Sequence, residues 1–267
     1  MIKLGVFDLD GTLLDSESRL PETFEQDMER LRSRRVSVAV ASARPAPFLV
    51  DLFDHCPDIL ISGEDGNIFF RGRRLLEIRY VSRDLVDRVA AIAKEREDIA
   101  YGCTGPDETY VSEENLKRLV QWGQGQFMPK APKELDETAK VCKIHVLCRD
   151  GAATAEQMVS CVFKELRKYG DVRESGNGWI GITEKDSNKA GAVRFFQKYL
   201  NLTDDETAVF GDSANDIPMF ELTRHSYAMK NAPAYVREKA NHVTEEDNDH
   251  NGAMKALLCL ALKDEEQ

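Results

Sequence analysis

The chain has 267 residues, 42% hydrophobic and 31% charged, which excludes a disordered or fibrous polypeptide and leaves one large or two modest globular domains. Its net charge of −11 speaks against a nucleic-acid-binding surface. No apolar run approaches the roughly 18 residues of a membrane helix, and the run 2–7 is too short for a signal-peptide core.

That run is the first element in chain order, a strand that breaks into Asp8-Leu9-Asp10-Gly11-Thr12-Leu13. Two carboxylates, two positions apart at a strand end, are costly to bury unless a cation neutralises them. Asp and Gly are also ordinary turn residues, and a second acidic cluster far along the chain decides between the two readings. Next come an amphipathic helix over 22–33, around Phe24, Met28 and Leu31, and a strand over 36–41 that runs into Ser42-Ala43-Arg44. Arg30, Arg32, Arg34 and Arg35 read as cations favoured by the dipole at the end of that helix rather than as a phosphate patch. A helix over 47–53, a strand over 58–61 and a hairpin-like pair about Gly72 follow.

Only 34 residues separate Asp8 from Ser42, enough for a loop, a helix and a return strand. The 147 residues from Ser42 to Lys189 far exceed one crossover, and 82–184 is long enough for an independent α/β module. Within it, Leu85, Val86, Val89, Ala90, Ile92 and Ala93 form one helical stripe, and Met158, Val162, Phe163 and Leu166 another. Strands are expected over 99–103, 109–112, 141–148 and 179–183, the last after the turn Gly176-Asn177-Gly178. These predict a small sheet backed by two helices. Trp179 reads as module packing more than as a substrate-stacking ring.

The remainder predicts a helix over 189–199, a strand over 207–210, a closing αβα stretch to residue 262 and a frayed acidic tail over 263–267. The strand ends in Gly211-Asp212-Ser213-Ala214-Asn215-Asp216, which opens a helix with Pro218 in its first turn. Ligands of open α/β sheets bind outside the carboxyl ends of the strands, so both acidic clusters should face one crevice. Asp8, Asp10 and Asp212 together suit a hard cation such as Mg²⁺.

Four segments, in order, make the chain resemble the haloacid dehalogenase superfamily of phosphotransferases. They are Asp8-Leu9-Asp10-Gly11-Thr12, Ala41-Ser42-Ala43-Arg44, Asn188-Lys189-Ala190, and Gly211-Asp212 with Asn215-Asp216. Within it the chain resembles the Cof-like phosphatases, which carry a large type-II (IIB) cap. The resemblance implies a Rossmann-like α/β core, a parallel sheet with helices on both faces, over 1–81 and 185–267. It also implies an inserted α/β cap over 82–184. The family usually has Thr-Gly where this chain has Ser42-Ala43, and often Gly where Ser213 stands.

The resemblance further implies that Asp8 attacks phosphorus, that Asp10 is the general acid and then the base, and that Asp8, the Asp10 carbonyl and Asp212 hold Mg²⁺. Ser42, the Ala43 amide, Lys189 and Asn215 match phosphate-holding positions. Asp216 supports the metal shell or Lys189, or caps its own helix, and Arg44 is a further supporting residue. The expected activity is Mg²⁺-dependent hydrolysis of a small phosphomonoester, most plausibly a sugar phosphate. A phosphomutase or phosphotransferase on the same core and a non-catalytic phospho-ligand sensor are the alternatives.

The six cysteines show no Cys-x-x-Cys spacing and read as buried small hydrophobes in a reducing compartment. No two of the five histidines stand at zinc-ligand spacing, and His145 reads as a strand-face residue. The expected protein is cytoplasmic, a monomer or weak dimer, with no membrane or nucleic-acid partner. Its substrate would be chosen in the cap, with the loop 102–108 and the Trp179 hairpin as candidates.

Overall fold

The structure is a computed structural model describing residues 1–106, 108–123, 129 and 131–262. The chain divides into two compact units, Met1–Leu76 with Asn188–Gln267, and Glu77–Ser187. The tail expected to fray lies outside the described residues. Among the described residues, no helix is long and apolar enough to cross a membrane.

The first unit is built on strands β1 (Leu4–Phe7), β2 (Ser37–Ala41), β3 (Leu60–Gly63) and β4 (Ile68–Arg71). The strand β5 (Arg74–Ile78) leads out of it. After the second unit, the chain returns as β11 (Thr207–Gly211), β12 (His225–Ala228) and β13 (His242–Val243). Their order across one eight-stranded sheet is β13-β12-β11-β1-β2-β3-β4-β5. The strands from β13 to β3 are parallel, and β4 turns back antiparallel to β3.

The chain builds outward from β1 in one direction through β2 and β3, and later in the other through β11 and β12. The switch point therefore lies at β1, where an open α/β sheet places its ligand crevice. All four residues of β1 are buried, so both faces of the sheet are covered there. Gly5 faces the helix α9 (Gly252–Leu262) so closely that an added Cβ would lie 2.4 Å from Leu257. The other helices of this unit are α1 (Phe24–Ser33), α2 (Ala46–Leu52), α6 (Lys189–Leu200), α7 (Ile217–Phe220) and α8 (Ala234–Arg237). Phe7 and Phe210 stack at 4.7 Å between centroids, and Phe69 stacks on Phe195 while meeting Phe196 edge-on.

The second unit is a five-stranded antiparallel sheet, β7-β6-β8-β10-β9. Its strands are β6 (Ile99–Thr104), β7 (Thr109–Tyr110), β8 (Lys143–Cys148), β9 (Gly170–Glu174) and β10 (Trp179–Glu184). The expected Leu85 stripe is α3 (Arg83–Lys94), capped by the Ser82 hydroxyl. The second expected stripe is not one regular helix. It is α5 (Ala152–Gln157), then a π-helical turn over Met158–Val162 and a 3₁₀ turn over Lys164–Lys168. Ala155, Met158, Val159, Phe163 and Leu166 are buried along this segment, at spacings a regular helix would also give.

In this unit β9 and the helix α4 (Glu113–Trp122) were not expected from the sequence, and in the first unit the closing stretch expected as αβα is α7-β12-α8-β13-α9. The signals for α4 stand in the sequence, with Ser112 as N-cap, Glu113 and Glu114 in the first turn, and Leu119 buried. Trp179 packs with the cluster of Ala100, Val111, Leu119 and Leu147, in line with a packing role. His145 lies on β8 and meets the Thr104 hydroxyl at 3.0 Å. The cysteines divide: four are buried, but Cys161 and Cys259 are exposed, because both stand off the buried stripes of their helical segments.

Phe69 is fully buried and makes two ring contacts, so Phe69→Ala should cost about 3–5 kcal/mol of stability, read as a drop in the urea midpoint. A loss below about 1 kcal/mol would show that this side of the sheet repacks freely.

Candidate active site

Three chain segments deliver the site. Asp8 follows β1, and its backbone N–H donates to the Phe210 carbonyl at 2.9 Å, locking the ends of β1 and β11 together. Asp212 follows β11. Lys189 opens α6 directly after Asn188, whose side chain caps that helix by accepting from the Gly191 N–H at 2.9 Å. An ammonium at a helix N-terminus opposes the helix dipole, and carboxylates offset that cost here.

Lys189 is 3% exposed. Its Nζ lies 2.6 Å from Asp8 Oδ1, 2.5 Å from Asp216 Oδ1 and 3.2 Å from Asn215 Oδ1. An ammonium has three donors, and all three are used. Asp216 is fully buried, and its Oδ2 accepts from the backbone N–H groups of Asp212 and Ser213, each at 2.9 Å. Asp216 thus both binds Lys189 and completes the capping box of the 3₁₀ turn Ala214–Asp216. The Ser213 hydroxyl donates to Asn215 Oδ1 at 2.6 Å, so the residue departing from the family pattern still belongs to the network.

Asp8, Asp212 and Asp216 form the carboxylate cluster, with one oxygen of each within 4.8 Å of the others. Burial pushes the Asp8 carboxyl well above its usual range; the Lys189 ammonium opposes this, while Asp216 and Asp212 add to it. Asp212 is raised by burial and by Asp216. The Thr12 hydroxyl donates to Asp212 Oδ1 at 3.3 Å. Burial works against the Lys189 charge, but Asp216 and Asp8 outweigh it and raise its pKa. One ammonium against three carboxylates leaves two negative charges, which a divalent cation would balance. The donors are all hard oxygens, as Mg²⁺ requires. Asp216 spends both oxygens on protein donors, so Asp8 and Asp212 are the carboxylates fitted to take the ion.

Two glycines make this approach possible. Gly11 has φ +75°, and a Cβ there would lie 2.6 Å from Asp212 Oδ2. A Cβ on Gly211 would lie 2.4 Å from Asp216 Cγ. Any side chain at either position would displace a carboxylate of the cluster.

The loop after β2 forms a second network. Ser42 is buried, and its Oγ accepts from the Arg44 N–H at 3.1 Å, with half-buried Ala43 between them. The Arg44 guanidinium forks onto Asp10, Nε to Oδ2 at 2.8 Å and Nη2 to Oδ1 at 2.5 Å. The Asp10 carboxylate is thus outside the cation cluster, leaving its backbone carbonyl as the expected metal contact. The structure brings Asp8, Lys189, Asp212, Asn215 and Asp216 into one network and Asp10, Arg44 and Ser42 into another. The sequence reading gave no role to Thr12, nor to Asn231, whose Nδ2 donates to the Gly11 carbonyl at 2.9 Å. Thr12 stood inside a motif already noticed; nothing local marks Asn231.

The sequence profile of the haloacid dehalogenase-like hydrolases matches residues 6–257, and the chain belongs to that family. It is 24% identical over 270 residues to the protein MG265 of Mycoplasma genitalium, covering 94% of this chain and 95% of that one. It is 24% identical over 259 residues to the 5-amino-6-(5-phospho-D-ribitylamino)uracil phosphatase YbjI of Escherichia coli, covering 92% of each chain. In fold it is similar to the HAD subclass IIB sugar phosphatase BT4131, with a TM-score of 0.75 at 19% identity, covering 97% of this chain and 98% of that one.

The raised Asp8 carboxyl has a measurable consequence without metal. A group titrating higher in the folded chain stabilises it fully below about pH 4, and that contribution is lost as pH rises through the folded value. Between about pH 4 and 8 in EDTA, the wild-type melting temperature should fall more steeply than that of Asp8→Asn, and Mg²⁺ should narrow the gap. Parallel curves would show that Asp8 carries no such burden.

Proposed function

We propose that this chain, a phosphatase of the haloacid dehalogenase superfamily, hydrolyses a small phosphomonoester, most plausibly a sugar phosphate, in a Mg²⁺-dependent reaction through an aspartyl-phosphate. The observation that carries this reading is the buried Lys189 ammonium bonded to Asp8 and Asp216 within a three-carboxylate cluster. The expected cytoplasmic location accords with six free cysteines.

Mg²⁺ bound by Asp8, Asp212 and the Asp10 carbonyl would supply the charge that offsets repulsion between a carboxylate and a phosphate dianion. Asp8 attacks phosphorus, and the ester oxygen leaves with its electron pair, taking a proton from Asp10. In the second step water attacks phosphorus, its proton passes to Asp10, and the bond from phosphorus to Asp8 breaks. The Asn215 amide, the Ser42 hydroxyl and the Ala43 amide hold the transferring group from its other side, and the Lys189 ammonium, bonded to Asp8, Asp216 and Asn215, contributes its positive charge there. Lys189 is already oriented for this by Asp216.

The second unit carries none of the four motifs, and we assign leaving-group selection to it as the cap. A relative acting on a phosphoribityl compound and a structural neighbour that is a sugar phosphatase both support a polyhydroxylated leaving group.

Replacing Asp8 by Asn keeps its shape and removes the nucleophile, so hydrolysis of p-nitrophenyl phosphate should fall about a thousandfold or more. A rate near wild type would overturn the covalent mechanism. EDTA should abolish turnover and Mg²⁺ restore it, with Asp212→Asn needing roughly tenfold more Mg²⁺ for half-maximal rate because a ligand charge is gone. Full turnover in EDTA would remove the metal from the reaction.

A further inference from the structure

We propose that Arg44 is the positioning residue for Asp10, holding its carboxylate in the orientation that proton transfer needs. This rests on the reading of Asp10 as the proton-transfer group and adds the residue that aims it.

Asp10 needs such help. Its side chain is half-exposed, and among the described residues the side chain that bonds its carboxylate is Arg44. A half-exposed carboxylate beyond a strand end samples several rotamers, and small misplacements of a reacting group are costly in rate. The Arg44 fork meets both carboxylate oxygens, which fixes distance and plane together. About four lone-pair sites belong to a carboxylate, so the fork leaves room for Asp10 to take or give a proton while held.

Arg44 is itself braced. Its N–H donates to Ser42 Oγ, and its carbonyl accepts from the Glu64 N–H at 3.0 Å. The guanidinium lies over the Phe48 ring, 4.6 Å from the centroid. Phe48 is 43% exposed in the first turn of α2, with its ring free to take the guanidinium on one face. A stacked, planar guanidinium keeps its fork in one plane, which a lysine could not reproduce.

A residue that aims Asp10 leaves a kinetic pattern that neither a phosphate ligand nor a fold-stabilising residue would produce. p-Nitrophenolate departs from phosphorus without a proton, so phosphoryl transfer onto Asp8 should hardly depend on Asp10. Hydrolysis of the aspartyl-phosphate needs water to lose its proton to Asp10. With p-nitrophenyl phosphate, Arg44→Ala and Arg44→Lys should therefore release one equivalent of p-nitrophenol at close to the wild-type rate. Steady-state turnover should then fall about ten- to a hundredfold. With 2-glycerol phosphate, whose alkoxide must be protonated to leave, phosphate release should fall at least as much and without a burst. Phe48→Ala, which keeps the fork and loses the brace, should show the same pattern more weakly, and it serves as the test if the Arg44 variants do not fold. The Mg²⁺ concentration for half-maximal rate should stay within about twofold of wild type.

Equal slowing of burst and steady state would place Arg44 on the phosphate or the fold and overturn the proposal, as would full rescue by Lys. No effect in any variant would overturn it too. If the wild type itself leaves p-nitrophenyl phosphate intact, the phosphatase reading has failed instead.

Discussion

A single buried ammonium organises this molecule. Taking Lys189 out of water is costly unless opposite charges meet it, and burying Asp8 and Asp216 beside a half-buried Asp212 is costlier still without a cation. Each half of this arrangement is unstable alone. Lys189 comes from the start of α6, Asp8 from the end of β1, and Asp216 from the turn after β11. The ammonium reaches its partners only when those three elements are correctly registered. The requirement that satisfies the charge therefore also assembles the site, and the sheet order that puts β11 beside β1 is its precondition.

The network is asymmetric in a way that bears on chemistry. Asp216 has both oxygens committed to protein donors and acts as a fixed strut. Asp8 and Asp212 instead bring carboxylate oxygens within 4.8 Å of one another, an arrangement two carboxylates tolerate only with a proton or a cation between them. Gly11 and Gly211 keep the backbone close enough for this confrontation. The protein thus holds unfavourable electrostatics in place with rigid geometry, which is the condition for strong binding of a small, highly charged ion.

Much of this was legible in the sequence, because the chemistry is local where it matters most. Asp8-Leu9-Asp10-Gly11 after an apolar run, and Gly211-Asp212 after another, each announce a strand ending in acid, and the parallel order follows from spacing and switch-point logic. Asn188 and Lys189 were legible only by resemblance, since a Lys opening a helix is commonplace; what distinguishes Lys189 is burial, which no local pattern encodes. Asn231 was not legible, because its partner, the Gly11 carbonyl, lies 220 positions away. The Met158 stripe misled for a different reason. Its apolar spacing fits a regular helix, yet the backbone winds as a π-helical turn and then a 3₁₀ turn, which the spacing does not encode. Cys161 and Cys259 were misread because composition says which residues are usually buried and nothing about where a helix turns its back.

Asp8 and Asp10 are chemically identical and two positions apart, a spacing that in a continuing strand would give them one face and one environment. The strand does not continue. Asp8 follows Phe7 directly and is buried against Lys189, whereas Gly11, at φ +75°, turns the chain so that Asp10 emerges half-exposed beside Arg44. Two carboxyls placed in such different surroundings can carry different duties, one fixed and desolvated for attack, the other near solvent where protons can come and go. The difference in surroundings comes from the turn rather than from the residue type, and Gly11 serves it twice, by bending the chain and by leaving space for Asp212.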